Sequence, residues 1–339
     1  MRRVAIVAVA QSVHSPRRDD ATPAELVYPV VRDAVAACGF ERHEIAYTTA
    51  GSADVLEGRP FSFGFALDVA GAVPPIEESH IEGDGAWAAY DAWIRIQSGD
   101  VDSAIVIAWG KSSEGSLAHV MNATLDPFYE SPLGLDDVAI AALQARACGF
   151  DDATLRAVVE RARAGGARNP FVSTAFERPP LDSPFVVEPL RRSYLPPVTD
   201  GACALVMTIT PRTEPLAWIA GVAHATDAAS IGARVVTDAS SARVAFERAW
   251  SMAGFTSVDI AELHTRFPHH ELMLRDIFSL NGSTVNASGG PLAADPIMAT
   301  GLVRLGDAAT QAGARGVRAL AHATAGHALQ SNIVWMLEP

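Results

Sequence analysis

Cysteine is scarce in this chain of 339 residues: only Cys38, Cys148 and Cys203 are present. Their odd number and wide spacing argue against a disulfide framework and against a structural zinc site. Basic residues are also few, since 26 Lys and Arg stand against 39 Asp and Glu, a formal net charge of −13. This negative excess repels phosphate groups, so we expect neither nucleic acid nor a membrane surface as a partner.

Long apolar runs are missing as well. No run approaches the ~20 residues of a membrane span, and the apolar part of the first 16 residues is short and alternates like a strand, which argues against a signal peptide. The glycines form no dinucleotide fingerprint with an acidic partner, so we expect neither NAD nor FAD. Hydrophobic residues make up 49% and charged residues 19% of the chain, which is typical of a globular protein with a large core. We expect a cytoplasmic protein.

The sequence contains an internal repeat. ACGFERHEIA at 37–46 matches MAGFTSVDIA at 252–261, an offset of about 215 residues. VAIVAVAQ at 4–11 matches AWIAGVAH at 217–224 at nearly the same offset. The repeat predicts two copies of one β-α-β-α-β unit, related by a pseudo-twofold axis. A site at that axis would take residues from equivalent positions of both halves.

Local signals place the main elements. Thr22 as N-cap, Pro23 at the first position and Gly39 past the end predict a helix, which Pro29 should kink. The segment 84–100 is apolar on nearly every side and should be a helix buried between layers. Its counterpart is predicted at about 296–311. The apolar run at 104–108 is typical of a parallel sheet buried on both faces.

These elements predict an α/β fold in which helices and mainly parallel sheets form layers. We expect an N-terminal half at 1–110 plus 201–215, an excursion over 111–200, and a C-terminal half at 216–339. In such folds the active site lies at the carboxyl ends of strands, near helix N-termini.

Four further segments stand out: SPFVVEPLRRSYLPPVTDGACALVM at 183–207, HTRF at 264–267, VNASGGPLAADPIMATG at 285–301 and HATAGHALQ at 322–330. They resemble thiolases of the sterol carrier protein x type. There they correspond to the stretch before the last N-half strand, the histidine-aspartate-cysteine-phenylalanine box, the glycine-rich loop before the second buried helix, and the C-terminal histidine loop. The resemblance implies a thiolase-like five-layer αβαβα fold.

The run AVPPIEESHIEGDGAW at 72–87, with HHEL at 269–272 and AHATAG at 321–326, narrows this resemblance. It is similar to the actinobacterial lipid-transfer-protein branch of thiolase-like proteins, which is associated with steroid side-chain degradation and includes CoA-thioester aldolases. The resemblance implies coenzyme A as part of the substrate and no tightly bound cofactor. It also implies a homodimer, or a heteromer with another thiolase-like chain, and a separate small OB-fold/zinc-ribbon partner. The strand SAIVIAWG at 103–110 carries no edge-protecting charges, so we expect its edge to pair with a second chain.

The departures from the family pattern fall at its reactive positions. Glu82 stands in the slot of the thiolase nucleophilic cysteine, and Asp295 in the slot of the histidine before the second buried helix. The two residues are pseudo-symmetric mates, so they could face each other and share a proton. His322 or Ala323 stands where biosynthetic thiolases have a second cysteine. Both carboxylates could equally be helix caps without a catalytic role.

The resulting candidate site combines bases with hydrogen-bond donors. The candidate catalytic residues are Glu82, Asp295, His264 and His322, and the candidate substrate-binding residues are Gly83, Asp84, Arg266, Gly289, Gly290, Gly326 and His327. His322 and His327 could instead serve only as loop hydrogen-bonding groups. His264, His269, His270 and Glu271 include common metal ligands, but the cluster opens a helix on which they would diverge, so we expect no metal site.

Three functions remain open from the sequence. The first is retro-aldol cleavage of a β-hydroxyacyl-CoA, which needs a base and enolate-stabilising donors but no acyl-enzyme. The second is a non-catalytic thiolase-like subunit that binds acyl-CoA or supports a partner. The third is acyl transfer, which is disfavoured because a carboxylate is a poor replacement for a thiolate. An open, polar cleft would favour the first over the second.

Overall fold

The computed structural model of the chain describes residues 1–71 and 76–339. The first four residues of the run at 72–87 therefore lie outside the described residues. Strands and helices alternate in the N-terminal part: β1 Val4–Gln11, α1 Pro23–Cys38, β2 Tyr47–Ser52, α2 Asp54–Glu57, β3 Glu77–Glu82, α3 Gly85–Ser98 and β4 Ser103–Lys111.

The middle of the chain is mainly helical and ends on a long strand. It comprises α4 Leu117–Ala123, α5 Asp137–Cys148, α6 Asp152–Gly166, the short hairpin β5 Phe185–Val187 and β6 Leu190–Arg191, and β7 Asp200–Thr208. The C-terminal part repeats the alternation: β8 Ala217–Thr226, α7 Ser240–Ala253, β9 Ile260–Leu263, α8 Pro268–Ile277, β10 Thr284–Val285, α9 Thr300–Arg315, β11 Ala319–Ala325 and β12 Ser331–Glu338.

The strand order confirms the predicted repeat. The first half runs β1-β7-β4-β2-β3 and the second β8-β12-β11-β9-β10, so each strand has a counterpart in the same place. The two halves join because β1 and β8 pair antiparallel, with Ala5 opposite Trp218. The sheets therefore form one continuous sheet of ten strands rather than two separate ones. The strands at 4–11 and 217–226 are equivalent, as the sequence predicts.

The structure has five layers, which pack against one another through three large apolar clusters. Helix α1 packs Leu26, Val30 and Ala34 on one face of the first half-sheet. Helices α3 and α9 lie together in the central layer, where Ala92 and Leu305 belong to the largest cluster. Helices α7 and α8 cover the outer face of the second half-sheet. The order helix, half-sheet, helix, half-sheet, helix is the expected αβαβα arrangement, and it buries α3 and α9 between the two half-sheets.

The expectation that the strand at 103–110 offers a sheet edge is wrong. Strand β4 lies between β7 and β2 and all of its residues are buried. Strand β3 ends the first half-sheet instead, and its sequence EESHIE exposes Glu77, Glu78 and Glu82. The edge therefore carries the charges that discourage unspecific strand pairing. Among the described residues, no helix has the length and apolar character that crossing a bilayer requires.

Candidate active site

A cavity of about 340 Å³ lies where strand ends of both halves meet helices of the middle segment. Strand β3 contributes Glu82 at its carboxyl end, and Gly83 and Asp84 follow in the turn to α3. The second half contributes His264 and Arg266 after β9, and Gly326 and His327 after β11. Helix α4 and the segment before α9 add an apolar wall of Val120, Met121, Ile297 and Met298. The cavity thus has the position expected for this topology.

Asp84 joins the two central helices at this cavity. Its Oδ1 accepts the backbone N–H of Ala86 in α3 at 2.8 Å, and its Oδ2 accepts that of Gly301 in α9 at 2.7 Å. The side chain is buried, and burial together with the nearby Asp295 charge raises its pKa to about 7. Asp84 is therefore a helix cap, as its position before α3 suggests, and its carboxyl group holds the site between the halves.

The sequence predicts that Asp295 faces the cavity, but in the structure it does not. It is fully buried, its Oδ2 accepts Arg266 Nε at 2.7 Å, and its Oδ1 accepts the Thr300 hydroxyl at 2.7 Å. Glu82 is exposed, and its Oε1 accepts the Asp54 backbone N–H at 2.6 Å. Because each carboxylate has its own partners, Glu82 and Asp295 make no direct contact through which they could share a proton. The carboxyl group whose pKa Asp295 raises is Asp84.

Arg266 turns inward and links two carboxylates. Besides Asp295 it donates to Asp137, the first residue of α5. Burial opposes the guanidinium charge, but Asp137 and Asp295 outweigh it and raise the pKa of Arg266. The sequence predicts Arg266 as a substrate-binding residue but gives no signal for Asp137. Asp137 follows the N-cap Asp136 in the helix of the middle segment, where an acid is ordinary.

His264 lines the cavity, and one of its ring nitrogens has no hydrogen-bond partner among the described residues. Only 3% of the residue is exposed, and its Nε2 has no hydrogen-bond partner among the described residues. Its Nδ1 lies 3.5 Å from the Thr324 backbone nitrogen, which donates to it, so the neutral ring carries its proton on Nε2. Burial, with the positive charge of Arg266 nearby, lowers the pKa of His264 well below its ordinary value. The residue is therefore a neutral N–H donor.

His322 lies behind the cavity wall. Its Nε2 donates to Asn332 Oδ1 at 2.9 Å, and its ring packs edge-on against Phe278. It is absent from the cavity lining, and burial lowers its pKa to about 4. The structure thus supports the alternative in which His322 is a hydrogen-bonding residue rather than a catalytic one.

The predicted glycines divide into two groups. Gly83 and Gly326 line the cavity, and Gly326 has a φ of 73°. Gly289 and Gly290 do not line it. A Cβ at Gly289 would stand 2.5 Å from the Gly166 nitrogen of α6, so this glycine serves close packing of α6 on the loop. Gly289 and Gly290 therefore lie outside the lining of this cavity, and their contact with substrate stays a prediction.

The remaining histidines near the site have protein partners. His269 Nε2 and His270 Nε2 both approach Gln144 Oε1, at 3.2 and 2.9 Å. Glu271 pairs with Arg161 and accepts from Asn286. His270 reaches the cavity wall, whereas His269 belongs to the surrounding core.

A second cavity of about 200 Å³ adjoins the first. Four residues line both cavities: Met121, Asp137, Arg266 and Phe267. The rest of the second wall is mainly apolar, with Leu117, Val138, Leu195, Pro196 and Val198. The Arg266–Asp137 ion pair therefore stands at the boundary between the two cavities.

The fold and site define a thiolase-like architecture, and comparisons with known proteins agree with it. No protein-family model matches the chain. A curated relative, the acetyl-CoA acetyltransferase of Methanocaldococcus jannaschii, is 25% identical over 300 residues, which cover 81% of this chain and 76% of the relative.

Solved structures match nearly the whole chain. A structure described as "Ltp2-ChsH2(DUF35) aldolase" has a TM-score of 0.81 and 18% identity, covering 99% of this chain and 97% of that one. Human mitochondrial 3-ketoacyl-CoA thiolase has a TM-score of 0.81 and 16% identity, covering 99% and 98%. The acetyl-CoA acetyltransferase of Syntrophomonas wolfei has a TM-score of 0.78 and 14% identity, covering 100% and 99%. The chain therefore has the thiolase fold, which confirms the fold read from its sequence.

Proposed function

We propose that this protein cleaves a β-hydroxyacyl-CoA by a retro-aldol reaction, without a covalent acyl-enzyme. The observation that carries the proposal is the composition of the cavity. Its described lining includes Glu82, His264 and His327 but no cysteine. Cys38 and Cys203 are buried in the core, and Cys148 lies half-buried beside Met273. The site thus offers proton-transfer groups and a donor without the thiolate that acyl transfer needs.

Two side chains act in the first chemical step, Glu82 as the base and His264 as a hydrogen-bond donor. Glu82, exposed at the cavity wall, takes the proton of the β-hydroxyl group. The electron pair of the breaking carbon–carbon bond then moves onto the α-carbon and delocalises to the thioester oxygen. The Nε2–H of His264 donates to that oxygen as negative charge develops there. Because His264 is buried and neutral, its donor is fixed before the substrate arrives.

The apolar residues of the cavity walls favour a lipid-like acyl chain in the substrate. Val120, Met121, Ile297 and Met298 give the main cavity an apolar side, and the second cavity extends it. An apolar chain gains about 25 cal/mol for each Å² that leaves water. We propose a steroid or other lipid side chain as the acyl group, with coenzyme A as part of the substrate.

The alternatives are separated by specific observations. A non-catalytic subunit would need no open cavity with acid and base groups, so the cavity favours an enzyme. Acyl transfer is supported only by the names of relatives such as the Methanocaldococcus acetyltransferase. The structure named Ltp2-ChsH2 aldolase combines two components in its name, and this supports the proposal of a separate small partner beside a homodimer or heteromer.

The test is product analysis with a matched pair of variants. Wild-type protein is incubated with a panel of β-hydroxyacyl-CoAs and β-ketoacyl-CoAs, with and without a candidate OB-fold/zinc-ribbon partner, and the products are identified by mass spectrometry. We expect a shortened acyl-CoA and a ketone or aldehyde from a β-hydroxyacyl-CoA. Glu82→Gln should lower the rate about 10²–10⁴-fold because it removes the base.

The control is Glu78→Gln, an exposed acid on the same strand that does not line the main cavity. It should keep the wild-type rate. Thiolysis of a β-ketoacyl-CoA at an ordinary rate, or full activity in Glu82→Gln, would contradict the proposal.

A further inference from the structure

His327 and Asp137 lie side by side in the cavity wall. His327 lies in the turn after β11, and its Nδ1 is 3.4 Å from Asp137 Oδ1. Its Nε2 is 3.1 Å from the hydroxyl oxygen of Thr124, which follows α4. All three residues line the main cavity, and His327 is only 7% exposed.

The hydrogen-bond directions determine where the protons lie. The Thr124 hydroxyl donates to the carbonyl of Met121 at 2.8 Å. A hydroxyl has one proton, so its oxygen accepts from His327 Nε2–H. The other ring nitrogen faces a carboxylate, which is also an acceptor. Both ring nitrogens therefore face acceptor atoms, a carboxylate oxygen at Nδ1 and a hydroxyl oxygen at Nε2.

Asp137 supplies the negative charge for this arrangement. Its burial opposes ionisation, but the Arg266 guanidinium, with the hydrogen bond and charge of His327, outweighs burial and lowers the carboxyl pKa. Arg266 in turn is held by Asp295. Asp295, behind the wall, thus holds Arg266, Arg266 pairs with Asp137, and Asp137 faces the ring of His327.

The turn that carries the ring is strained and held in place. Ala328 and Leu329 have φ values of 50° and 58°, in the left-handed region that is unfavourable for non-glycine residues. Arg234 Nη1 donates to the Ala328 carbonyl and Asn332 Nδ2 to the Leu329 carbonyl, both at 2.8 Å. Such strain persists only where surrounding contacts determine it. The ring of His327 is therefore positioned by several independent contacts.

We propose that His327 transfers the proton to and from the α-carbon of the thioester, with Asp137 as its positioning residue. The inference rests on the proposed function. After Glu82 has taken the β-hydroxyl proton, the carbon–carbon bond breaks, the carbonyl product forms, and the electron pair remains on the α-carbon as an enolate. The ring of His327, in its protonated form, then releases its Nε2–H from Thr124 and transfers that proton to the carbon, which completes the shortened acyl-CoA. The ring is left neutral and regains a proton from water, while Glu82 loses one, so the cycle releases no net proton.

The reverse half-step can be measured alone. Wild-type protein is incubated with propionyl-CoA in D₂O, and loss of the α-hydrogens is followed by proton NMR and mass spectrometry. We expect enzyme-dependent exchange in the wild type and about 10²–10⁴-fold slower exchange in His327→Gln. Asp137→Asn should slow exchange to a smaller extent, and Asp137→Glu should restore part of the rate. His119→Gln, an exposed histidine of α4 outside the cavity lining, should exchange like the wild type.

Folding and binding are checked in the same variants. Circular dichroism and propionyl-CoA affinity should match the wild type in His327→Gln, so that slow exchange reports the lost proton carrier. Wild-type exchange in a folded His327→Gln variant would overturn the inference. So would a wild type that binds propionyl-CoA without exchanging its α-hydrogens.

The two proposals fail in different ways. Cleavage of a β-hydroxyacyl-CoA with exchange that is insensitive to His327 would leave the aldolase function standing and remove the role of His327. Exchange that depends on His327, without cleavage of any β-hydroxyacyl-CoA, would support that role and contradict the aldolase function.

Discussion

The histidines around the site are buried without charge. His264, His269, His270 and His322 are each at most 4% exposed, and burial lowers the pKa of every one. A neutral imidazole keeps one N–H donor and one acceptor, so these rings act as fixed dipoles. His327 differs because it contacts a carboxylate. Within one cavity, His264 therefore acts as a hydrogen-bond donor and His327 as a proton carrier.

Burial of His322 predicts a pH-dependent stability. Burial lowers the pKa of His322 from its ordinary value of 6.5 to about 4, so the folded state binds fewer protons than the unfolded state between these pH values. The stability from its neutral form is complete above pH ~6.5 and is lost as the pH falls towards 4. Between pH 7 and pH 5 the wild type should lose about 2 kcal/mol relative to His322→Gln.

Urea unfolding of both proteins at pH 7, 6 and 5 measures this difference, since all other titrating groups are shared. Free energies of unfolding that run parallel across this range would show that His322 is not held neutral.

Sequence reasoning predicted several of the residues that line the cavity. Glu82, His264 and Arg266 were predicted because the repeat and the family boxes place them at strand ends. Asp295 was predicted for the same reason, but Arg266 and Thr300 draw it away from the cavity. Asp137 was missed because its segment has no counterpart in the repeat. Contacts between distant segments, such as Asp137 with His327, leave no local pattern.

The central helices α3 and α9 depend on glycine where they approach the strands and each other. A Cβ at Gly85 would stand 2.5 Å from the Ala108 Cβ and 2.9 Å from the Leu302 Cβ. These neighbours belong to β4 and α9, so neither is a flexible side-chain end. The glycine thus permits the close contact on which the layer packing and the position of Asp84 rest.

Gly85→Ala should therefore destabilise the fold by about 1–3 kcal/mol through overpacking. Gly83→Ala is the matched control two residues away, because its Cβ would meet only Ile81 at 3.9 Å, and it should have little effect. Urea unfolding midpoints of both variants check this. Equal midpoints would show that the central layer adapts to the added methyl group.

The observed ends of the helices agree with the predicted ones where the local sequence signals are strong. Helix α1 has the predicted N-cap Thr22, with a capping box to Glu25, and the predicted end at Gly39. Pro29 did not shorten it, because Leu26, Val27, Val30 and Val31 on both sides of the proline are buried. Helix α9 begins at Thr300 rather than near Pro296, since Ile297–Ala299 form a 3-10 turn. The edge strand β3 was missed because its sequence is polar and reads as a loop.

The main cavity lies between two halves that have the same fold. The side chains that the two halves place at the cavity are different. Glu82 of the first half reaches the cavity, whereas its mate Asp295 is buried. The middle segment, which has no mate, supplies Thr124 and Asp137. The repeat therefore predicted the framework, and the unrepeated segment determines much of the chemistry.

The location of all three thiols leads to a prediction for the molecule as a whole. Cys38 donates to the Val35 carbonyl within the packing of α1, Cys203 is fully buried in β7, and Cys148 lies beside Met273. Burial raises the pKa of each thiol, that of Cys203 well above its ordinary value. A thiol with a raised pKa is a weak nucleophile at neutral pH, because the thiolate is the reactive form.

Iodoacetamide should therefore label the native protein slowly and leave the cleavage of a β-hydroxyacyl-CoA unchanged, whereas the unfolded chain should take up one label on each of Cys38, Cys148 and Cys203. Labelling by mass spectrometry and activity measured on the same samples decide the matter. An enzyme with a cysteine nucleophile in its cavity would lose activity in step with labelling, and its acyl-CoA substrate would protect it. Protected, activity-linked alkylation would mean that a thiol reaches the cavity in the working enzyme, and it would return acyl transfer to consideration.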